Sequence, residues 1–165
     1  MTLATVVHSI IMSAFDTPSN ICILQRHPYS SARHFCHALA DAYADGATEA
    51  GHSVSRFDVG ALEIPILRDP AEFATPAPEP VRQVQQAVLQ ANHLMVVYPL
   101  WLETMPALVK AFFEHFARAQ FAIEQTEKGW PRKMLKGRSD WRCRRGRCKG
   151  ARKKAADHER AWQVR

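Results

Sequence analysis

Several features that would point to a particular protein class are missing from this sequence of 165 residues. No apolar run reaches the roughly 18 residues that are typical of a membrane-spanning helix, so we expect no transmembrane segment. The opening stretch, MTLATVVHSIIMSAF, has no basic start and no clear cleavage site, and this argues against a signal peptide. The regular pattern of the chain begins only near Asn20, which leaves Met12 as an alternative start.

The sequence also lacks the short motifs of several enzyme classes. It contains no GxGxxG, no GxxxxGK[ST] and no HExxH, the usual signatures of Rossmann dinucleotide, P-loop and zinc protease sites. Its four cysteines form no CxxC pair and no disulfide-framework spacing; they are Cys22, Cys36, Cys143 and Cys148. We therefore expect reduced thiols, a cytoplasmic location and no metal site.

The formal charge of +6 is concentrated at one end of the chain. Ten of the 22 Lys and Arg side chains lie in residues 140–165, which hold three acidic residues. Residues 1–139 carry 12 basic and 13 acidic side chains and are therefore close to neutral. The basicity belongs to the tail and does not indicate a basic domain surface.

Two hydrophobic periods alternate along residues 20–116. Short apolar runs predict strands, and apolar residues spaced three and four apart predict helices. The predicted strands are 21–25, 54–59 and 93–98, and the predicted helices are 35–47, 81–91 and 105–116. Residues 60–80 carry five prolines and are expected to form a long surface connection. The alternation favours βαβ units with a parallel sheet.

Right-handed crossovers place the second strand on one side of the first strand and the third strand on the other, which gives a 2-1-3 order. A crevice then opens at the carboxyl ends of the first and third strands. The two loops at this edge are RHPYSSAR (residues 26–33) and PLWLET (residues 99–104). The second loop places rigid apolar residues where a polar turn is usual, and this predicts a wall for a flat apolar ligand.

Four segments carry a resemblance to a known family. They are HPYSSARHFCHALADAYADGATEAGHSVSRFDV, PILRD, ANHLMVVYPLWLETMPALVKAFFE and GWPRKMLKGRS. In this order, over residues 20–139, they resemble the flavodoxin-like NAD(P)H:quinone oxidoreductase family, which includes quinone reductases and ancillary subunits of potassium-efflux systems. The resemblance implies a flavodoxin-like α/β fold and a flavin, FAD or FMN. It also implies NAD(P)H as co-substrate, a quinone or other small-molecule acceptor, and a homodimer.

By this resemblance the loop after the first strand holds the flavin phosphates, aided by the N-terminus of the first helix. The matching positions are His27, Arg33, His34, Phe35 and Cys36. His34 and Cys36 replace a Ser and an Asn that are common in relatives, so the hydroxyl and amide contacts are absent and Arg33 and His34 are expected to compensate by charge.

By the same resemblance the loop after the third strand contacts the isoalloxazine ring. The positions carried over are Pro99, Leu100, Trp101, Leu102, Glu103 and Thr104. Backbone N–H groups of Glu103 and Thr104 are expected to reach the polar edge of the ring. The cofactor carries the chemistry, so no catalytic side chain is assigned.

Ordinary structural roles compete with these assignments. Tyr98 and Trp101 are also compatible with plugs that fill the end of a sheet. His34 and His37 lie one helical turn apart, but they have no further ligand in view, so a metal site is not expected there.

The resemblance stops after LKGRS. The family continues with a fourth and a fifth strand, whereas this chain continues with DWRCRRGRCKGARKKAADHERAWQVR. Two interpretations remain: a basic tail that contacts nucleic acid or an acidic membrane, or a segment read in a shifted frame. We favour the shifted frame, and we expect a sheet without its fourth and fifth strands and a disordered tail.

The sequence therefore predicts three parts: an N-terminal extension over 1–19, an incomplete flavodoxin-like domain over 20–139 and a basic tail over 140–165. The leading hypothesis for function is an NAD(P)H-dependent flavoprotein that reduces a quinone, with activity impaired by truncation. The alternatives are a regulatory subunit of a potassium-efflux transporter and, least favoured, a nucleic-acid binder that uses the tail.

Overall fold

The structure is a computed structural model of the chain, and it describes residues 17–27, 34–118, 121–124, 132–135, 139–144 and 147–151. Three strands alternate with three helices in the first part of the chain. The strands are β1 (Asn20–Gln25), β2 (Ser53–Asp58) and β3 (His93–Val97), and the helices are α1 (Phe35–Glu49), α2 (Glu79–Gln90) and α3 (Ala107–Phe116). This order confirms the predicted βαβ organisation.

The sheet has β1 at its centre. β1 pairs in parallel with β2, with Asn20 opposite Ser53, and in parallel with β3, with Ile21 opposite His93. The predicted 2-1-3 order is therefore confirmed. Two right-handed crossovers on opposite faces produce this order, since each helix must pack back onto the sheet.

Both faces of β1 are buried. Ile21 and Ile23 pack with α1 on one face, whereas Cys22 and Leu24 pack with α2 and α3 on the other. A strand with two buried faces needs apolar residues at consecutive positions, and this explains the continuous run in ICILQ. Burial raises the pKa of the Cys22 thiol to about 12, so this cysteine is an inert core residue.

Local sequence sets the ends of the helices. Gly51, with φ of +81°, follows α1, and its N–H donates to the carbonyl of Thr48 at 2.9 Å. Glycine adopts this left-handed conformation without steric cost. Glu79 and Pro80 begin α2, where a proline loses no helical hydrogen bond and an acidic side chain faces the positive end of the helix dipole.

A buried polar cluster holds the connector, residues 59–78, against the end of α3. The Arg118 guanidinium donates to the hydroxyl of Thr75, and its Nη1 lies 2.8 Å from His115 Nδ1. His115 Nε2 lies 2.7 Å from the carbonyl oxygen of Pro65. Because Arg118 can only donate, His115 Nδ1 accepts, and Nε2 carries the proton that is donated to Pro65.

The structure differs from the expectation that the sheet lacks a fourth and a fifth strand. β6 (Ser139–Arg144) pairs in parallel with β3, and β7 (Arg147–Ala151) pairs antiparallel with β6. Along the chain, two short strands come between α3 and β6. They are β4 (Ile123–Glu124) and β5 (Arg132–Lys133), and they pair antiparallel with each other. The outer edge of β3 presents unpaired backbone groups, and a strand can satisfy them whatever side chains it carries. The apolar periodicity used for the prediction does not detect such pairing.

Phe35, one of the positions that the resemblance assigned to the flavin site, is not part of the core on the α1 side. Its side chain is 56% exposed, because it occupies the first helical position, beyond the carboxyl end of β1. The boundaries at residues 19 and 139 stay predictions, and residues 1–16 and 152–165 lie outside the described ranges. Within the described ranges, no helix is both long and apolar enough to cross a membrane.

Phe112 tests the core on the α3 side. It is 1% exposed and contacts Phe116, with ring centroids 5.5 Å apart. Phe112→Ala is expected to lower the free energy of unfolding by about 3–5 kcal/mol, because it removes buried surface and leaves a cavity. Urea denaturation followed by circular dichroism measures this loss.

The matched control is Phe35→Ala, which removes the same ring from an exposed position. It is expected to change stability by less than about 0.5 kcal/mol. Equal losses in the two variants would contradict the assignment of Phe112 to the core.

Candidate functional site

The site begins where β1 and β3 end. The N–H of Arg26 donates to the carbonyl of Val97 at 2.8 Å, and this bond extends the pairing of the two strands to the edge of the sheet. The chain then leaves β1 through His27 and leaves β3 through Tyr98. Residues 26–27 and the loop after β3 therefore begin at the same edge of the sheet, at the point where the crossovers separate the helix layers.

Three histidine rings form a cluster beside the start of α1. His27 stacks on His34 with ring centroids 3.8 Å apart and an angle of 17° between the planes. His37 lies 6.0 Å from His34 and 5.8 Å from His27, centroid to centroid. His37 Nδ1 also accepts the N–H of His34 at 3.1 Å, so its side chain caps the helix. Hereafter these three residues are called the histidine cluster.

The electrostatics of the cluster favour an anion. The first turn of α1 contains no acidic residue, so the positive end of the helix dipole is not neutralised there. Burial, followed by the neighbouring charges of His27 and His37, lowers the pKa of His34 below its ordinary value. A bound anion would reverse this effect, because an opposite charge favours the protonated ring.

A buried arginine lies directly after the end of β1. Arg26 is 4% exposed, and its Nη1 donates to the carbonyl of Val59 at 2.6 Å. Burial lowers the pKa of this guanidinium, and the carboxylate of Asp58 opposes the shift. Arg26 Nε is buried without a hydrogen-bond partner among the described residues. This end of β1 therefore carries a fixed positive charge.

Gly60 lets the chain after β2 approach the first loop. Its N–H donates to Asp58 Oδ1 at 2.8 Å, and a Cβ at this position would lie 3.2 Å from the backbone carbonyl oxygen of His27. A side chain at position 60 would push against that backbone. The close approach of the chain after β2 to the backbone of His27 therefore depends on a glycine at position 60.

The second loop contains a tight turn with unusual backbone angles. Trp101 and Thr104 exchange two backbone hydrogen bonds of 2.9 Å. The residues between them, Leu102 and Glu103, have φ of 47° and 62°. Two consecutive positive φ values are typical of a type I′ turn, which normally uses glycine or asparagine. Backbone strain of this kind is concentrated at functional sites.

The second loop also exposes apolar side chains. Leu102 is 98% exposed and Trp101 is 51% exposed, whereas Tyr98 is 8% exposed and belongs to the core. Of the two aromatic residues that the sequence offered as plugs, Tyr98 fills that role and Trp101 does not. Pro99 and Leu100 are half-buried, and Leu100 packs against the core on the side of α2 and α3.

The structure places several of the residues that the sequence assigned to the site at the carboxyl ends of β1 and β3. His27 and His34 lie together at the first loop, and residues 99–104 form the second loop. Arg33 lies outside the described residues. Cys36 packs into the core on the α1 side, and burial raises the pKa of its thiol, so we do not include it in the site. The N–H of Thr104 is occupied within the turn and contacts a ligand only if the turn opens.

Sequence reasoning missed three contributors to the site. Arg26 follows an apolar strand and gave no sign that its charge would be buried. His37 was considered only as a metal ligand, although its spacing from His34 placed both rings on one helix face. Gly60 has no signal in a single sequence, because its role depends on a contact with His27 from a distant part of the chain.

The rest of the described residues offers a less suitable place for a charged ligand. A groove of about 380 Å³ lies at the opposite edge of the sheet, lined by Asn20, Ser53, Ser55 and the last turn of α2. No charged side chain lines it, and it faces the negative end of a helix. Within the described ranges, no group of three or more His, Cys, Asp or Glu side chains is arranged to hold a metal ion.

Comparisons of the sequence point to one family. Residues 19–141 match the family described as having a flavodoxin-like fold. The chain is 31% identical over 123 residues to an uncharacterized NAD(P)H oxidoreductase of Haemophilus influenzae. The matched region covers 72% of this chain and 60% of the relative. The chain therefore spans less than two thirds of that relative's length.

Comparisons with solved structures agree with a flavodoxin-like fold. An NAD(P)H:quinone oxidoreductase from Methanothermobacter marburgensis superposes with a TM-score of 0.57 and 24% identity, covering 66% of this chain and 58% of that protein. An FMN-dependent NADH-azoreductase from Bacillus anthracis, solved in complex with FMN, gives a TM-score of 0.54 and 16% identity, over 76% of this chain and 68% of that protein. At these identities the likeness shows the fold.

Leu102 tests the strain in the second loop. Its side chain is 98% exposed, so a change to glycine removes almost no packing. A left-handed conformation costs an L-residue about 1–2 kcal/mol, and a glycine costs about 0.5–1 kcal/mol in backbone entropy. Leu102→Gly is therefore expected to stabilise the protein by about 0.5–1 kcal/mol in a thermal melt.

The control for this change is Ile66→Gly, at an exposed loop position where φ is not positive. This variant is expected to lose about 0.5–1 kcal/mol, since no strain is relieved. A loss of stability in both variants would show that Leu102 is not strained.

Proposed function

Because this chain belongs to the flavodoxin-like family whose members include NAD(P)H:quinone oxidoreductases, we propose that it binds a flavin in the crevice between its two loops. We propose further that it transfers a hydride from NAD(P)H through that flavin to a quinone or another two-electron acceptor. The observation that carries the proposal is the presence, at one edge of the sheet, of a helix N-terminus without acidic residues, a buried arginine and an exposed tryptophan.

The residues at this edge fit the two chemical parts of a flavin. The histidine cluster and the start of α1 offer N–H donors to a phosphate, and the helix dipole adds a positive potential. Trp101, which is 51% exposed, offers an aromatic ring to the flat isoalloxazine. A phosphate site beside an apolar wall is the arrangement that an amphipathic flavin requires.

The chemistry divides between the cofactor and the protein. A bound flavin supplies two-electron transfer between NAD(P)H and the acceptor. The protein holds the phosphate at the histidine cluster and orients the ring against Trp101. Leu102, at the tip of the second loop, lies at the open side of the crevice, where an apolar acceptor enters. No side chain is assigned a catalytic proton transfer.

FMN is the proposed form of the flavin. The azoreductase of similar fold was solved with FMN, and the histidine cluster provides a compact site for one terminal phosphate. FAD, which the family resemblance also allows, is the second choice. The flavin-binding unit is proposed to be residues 20–139. A homodimer and a cytoplasmic location stay predictions.

The two alternatives from the sequence are not proposed. Neither the Haemophilus influenzae relative nor the two superposed structures is described as a transporter subunit or as a nucleic-acid binder. The basic residues of the tail lie in β6, in β7 and outside the described ranges.

Trp101→Ala tests the apolar wall. Stacking by an aromatic side chain is worth about 0.5–1.5 kcal/mol beyond its buried area, so FMN affinity is expected to fall by about tenfold. The fold is expected to survive, because the side chain is 51% exposed. Fluorescence titration with FMN measures affinity, a thermal melt measures the fold, and NADPH oxidation with a soluble benzoquinone measures turnover.

The control is Leu89→Ala, which removes a 43% exposed apolar side chain from α2, at the edge away from the crevice. This variant is expected to keep wild-type affinity for FMN. If Trp101→Ala unfolds the protein while its folded fraction binds FMN normally, Trp101 is a structural plug and the proposed site is wrong.

A further inference from the structure

We propose that the turn formed by residues 101–104 is a strap that opens when the flavin binds. In the open form the N–H of Thr104 leaves its acceptor within the turn and donates to the polar edge of the isoalloxazine ring. This step rests on the proposed flavin site and adds a conformational change to it. The strap combines a strained and exposed backbone with two ends that are fixed in the core.

Both ends of the strap are anchored. Tyr98 is 8% exposed and belongs to the core on the side of α2 and α3, and Leu100 packs against the same core. After the strap, Met105 packs against this core as well, and Pro106, the residue before α3, is buried. A rearrangement of residues 101–104 can therefore stay local, because neither β3 nor α3 has to move.

The strap itself is exposed. All four of its residues are exposed to solvent, and the side chain of Leu102 is 98% exposed, so it contributes almost no packing. Trp101 and Thr104 close the turn through two backbone hydrogen bonds of 2.9 Å. Exposed hydrogen bonds of this kind add only a small net stability, because water replaces them when the turn opens.

Backbone strain in the strap favours the open form. Leu102 and Glu103 have φ of 47° and 62°, in the left-handed region that is unfavourable for residues with a side chain. The cost of two such residues and the gain from two exposed hydrogen bonds are similar in size and opposite in sign. The closed and open forms are therefore close enough in free energy for a ligand to select between them.

The N–H of Thr104 is the group that a ligand gains when the strap opens. In the closed turn it donates to the carbonyl of Trp101 at 2.9 Å, so the donor is occupied. A flavin ring carries oxygen and nitrogen acceptors along its polar edge, and one of these can replace that carbonyl. Because only the open form offers this N–H, the observed affinity for FMN is reduced by the fraction of the chain that is closed.

Leu102→Gly and Leu102→Ala separate the backbone from the side chain. Both variants remove the exposed side chain beyond Cβ, but only glycine adopts the left-handed conformation without steric cost. Leu102→Gly is therefore expected to bind FMN about tenfold more weakly than Leu102→Ala, because its closed form is no longer strained at this residue. Leu102→Val is expected to shift affinity in the opposite direction, since β-branched residues are disfavoured at positive φ.

Exchange of the Thr104 amide measures the opening of the strap without any flavin. Its rate in the free chain, followed by NMR, reports the fraction of molecules in which the hydrogen bond to Trp101 is broken. This rate is expected to be about tenfold lower in Leu102→Gly than in Leu102→Ala. Fluorescence titration then gives the FMN affinity of each variant.

The control is Ile66→Gly, at an exposed position of the connector where φ is not positive. It introduces the same residue away from the strap, and it is expected to keep the wild-type affinity for FMN and the wild-type exchange of Thr104.

The outcomes are distinct. Parallel losses of Thr104 exchange and FMN affinity in Leu102→Gly, relative to Leu102→Ala, support the strap. Slower exchange with equal FMN affinity overturns it, because FMN then binds without opening the turn. Equal exchange in the two variants also overturns it, because the turn then stores no strain at Leu102. If the exchange rates follow the expected order but the wild-type chain does not bind FMN, the proposed function is wrong, and the coupling of the strap to a flavin is overturned with it.

Discussion

The burial of both faces of β1 is the constraint on which the rest of the structure depends. Ile21 and Ile23 face α1, while Cys22 and Leu24 face the layer of α2 and α3. A strand buried on both sides requires helices on both sides, and right-handed connections can supply them only in the 2-1-3 order. That order brings the loops after β1 and β3 to one edge, where the dipole of α1 also points. The position of the candidate site is thus a consequence of how the central strand is covered.

Much of this framework was predictable, because it depends on side-chain periodicity and on chirality. The apolar run at β1 and the spacing in α1 gave the elements, and the crossover rule gave their order. The polar cluster of Arg118, His115 and Thr75 was not predictable, since its members are far apart in sequence and have no local pattern. The pairing of β6 with β3 was missed for a related reason. Backbone groups at a sheet edge accept a strand regardless of its hydrophobicity.

The candidate site combines elements that the sequence predicted with elements that it did not. Trp101 was placed correctly at the mouth of β3, yet its turn forces Leu102 and Glu103 into backbone conformations that glycine normally supplies. Arg26 places a buried positive charge at the end of β1, next to a carboxylate that also caps the following turn. Exposed apolar surface, strain and a buried charge each cost stability. Their concentration at one edge of an otherwise well-packed sheet is the physical argument that the edge binds a ligand.

Hydrogen exchange with and without FMN tests the central claim most directly, because it reports on every part of the chain in one experiment. The account predicts slower exchange on FMN addition in residues 26–27, 34–37 and 98–104, the two loops of the crevice. It predicts no change in residues 53–55 and 86–90, which line the groove at the opposite edge of the sheet. Protection of that groove, with unchanged exchange in both loops, would contradict the placement of the site.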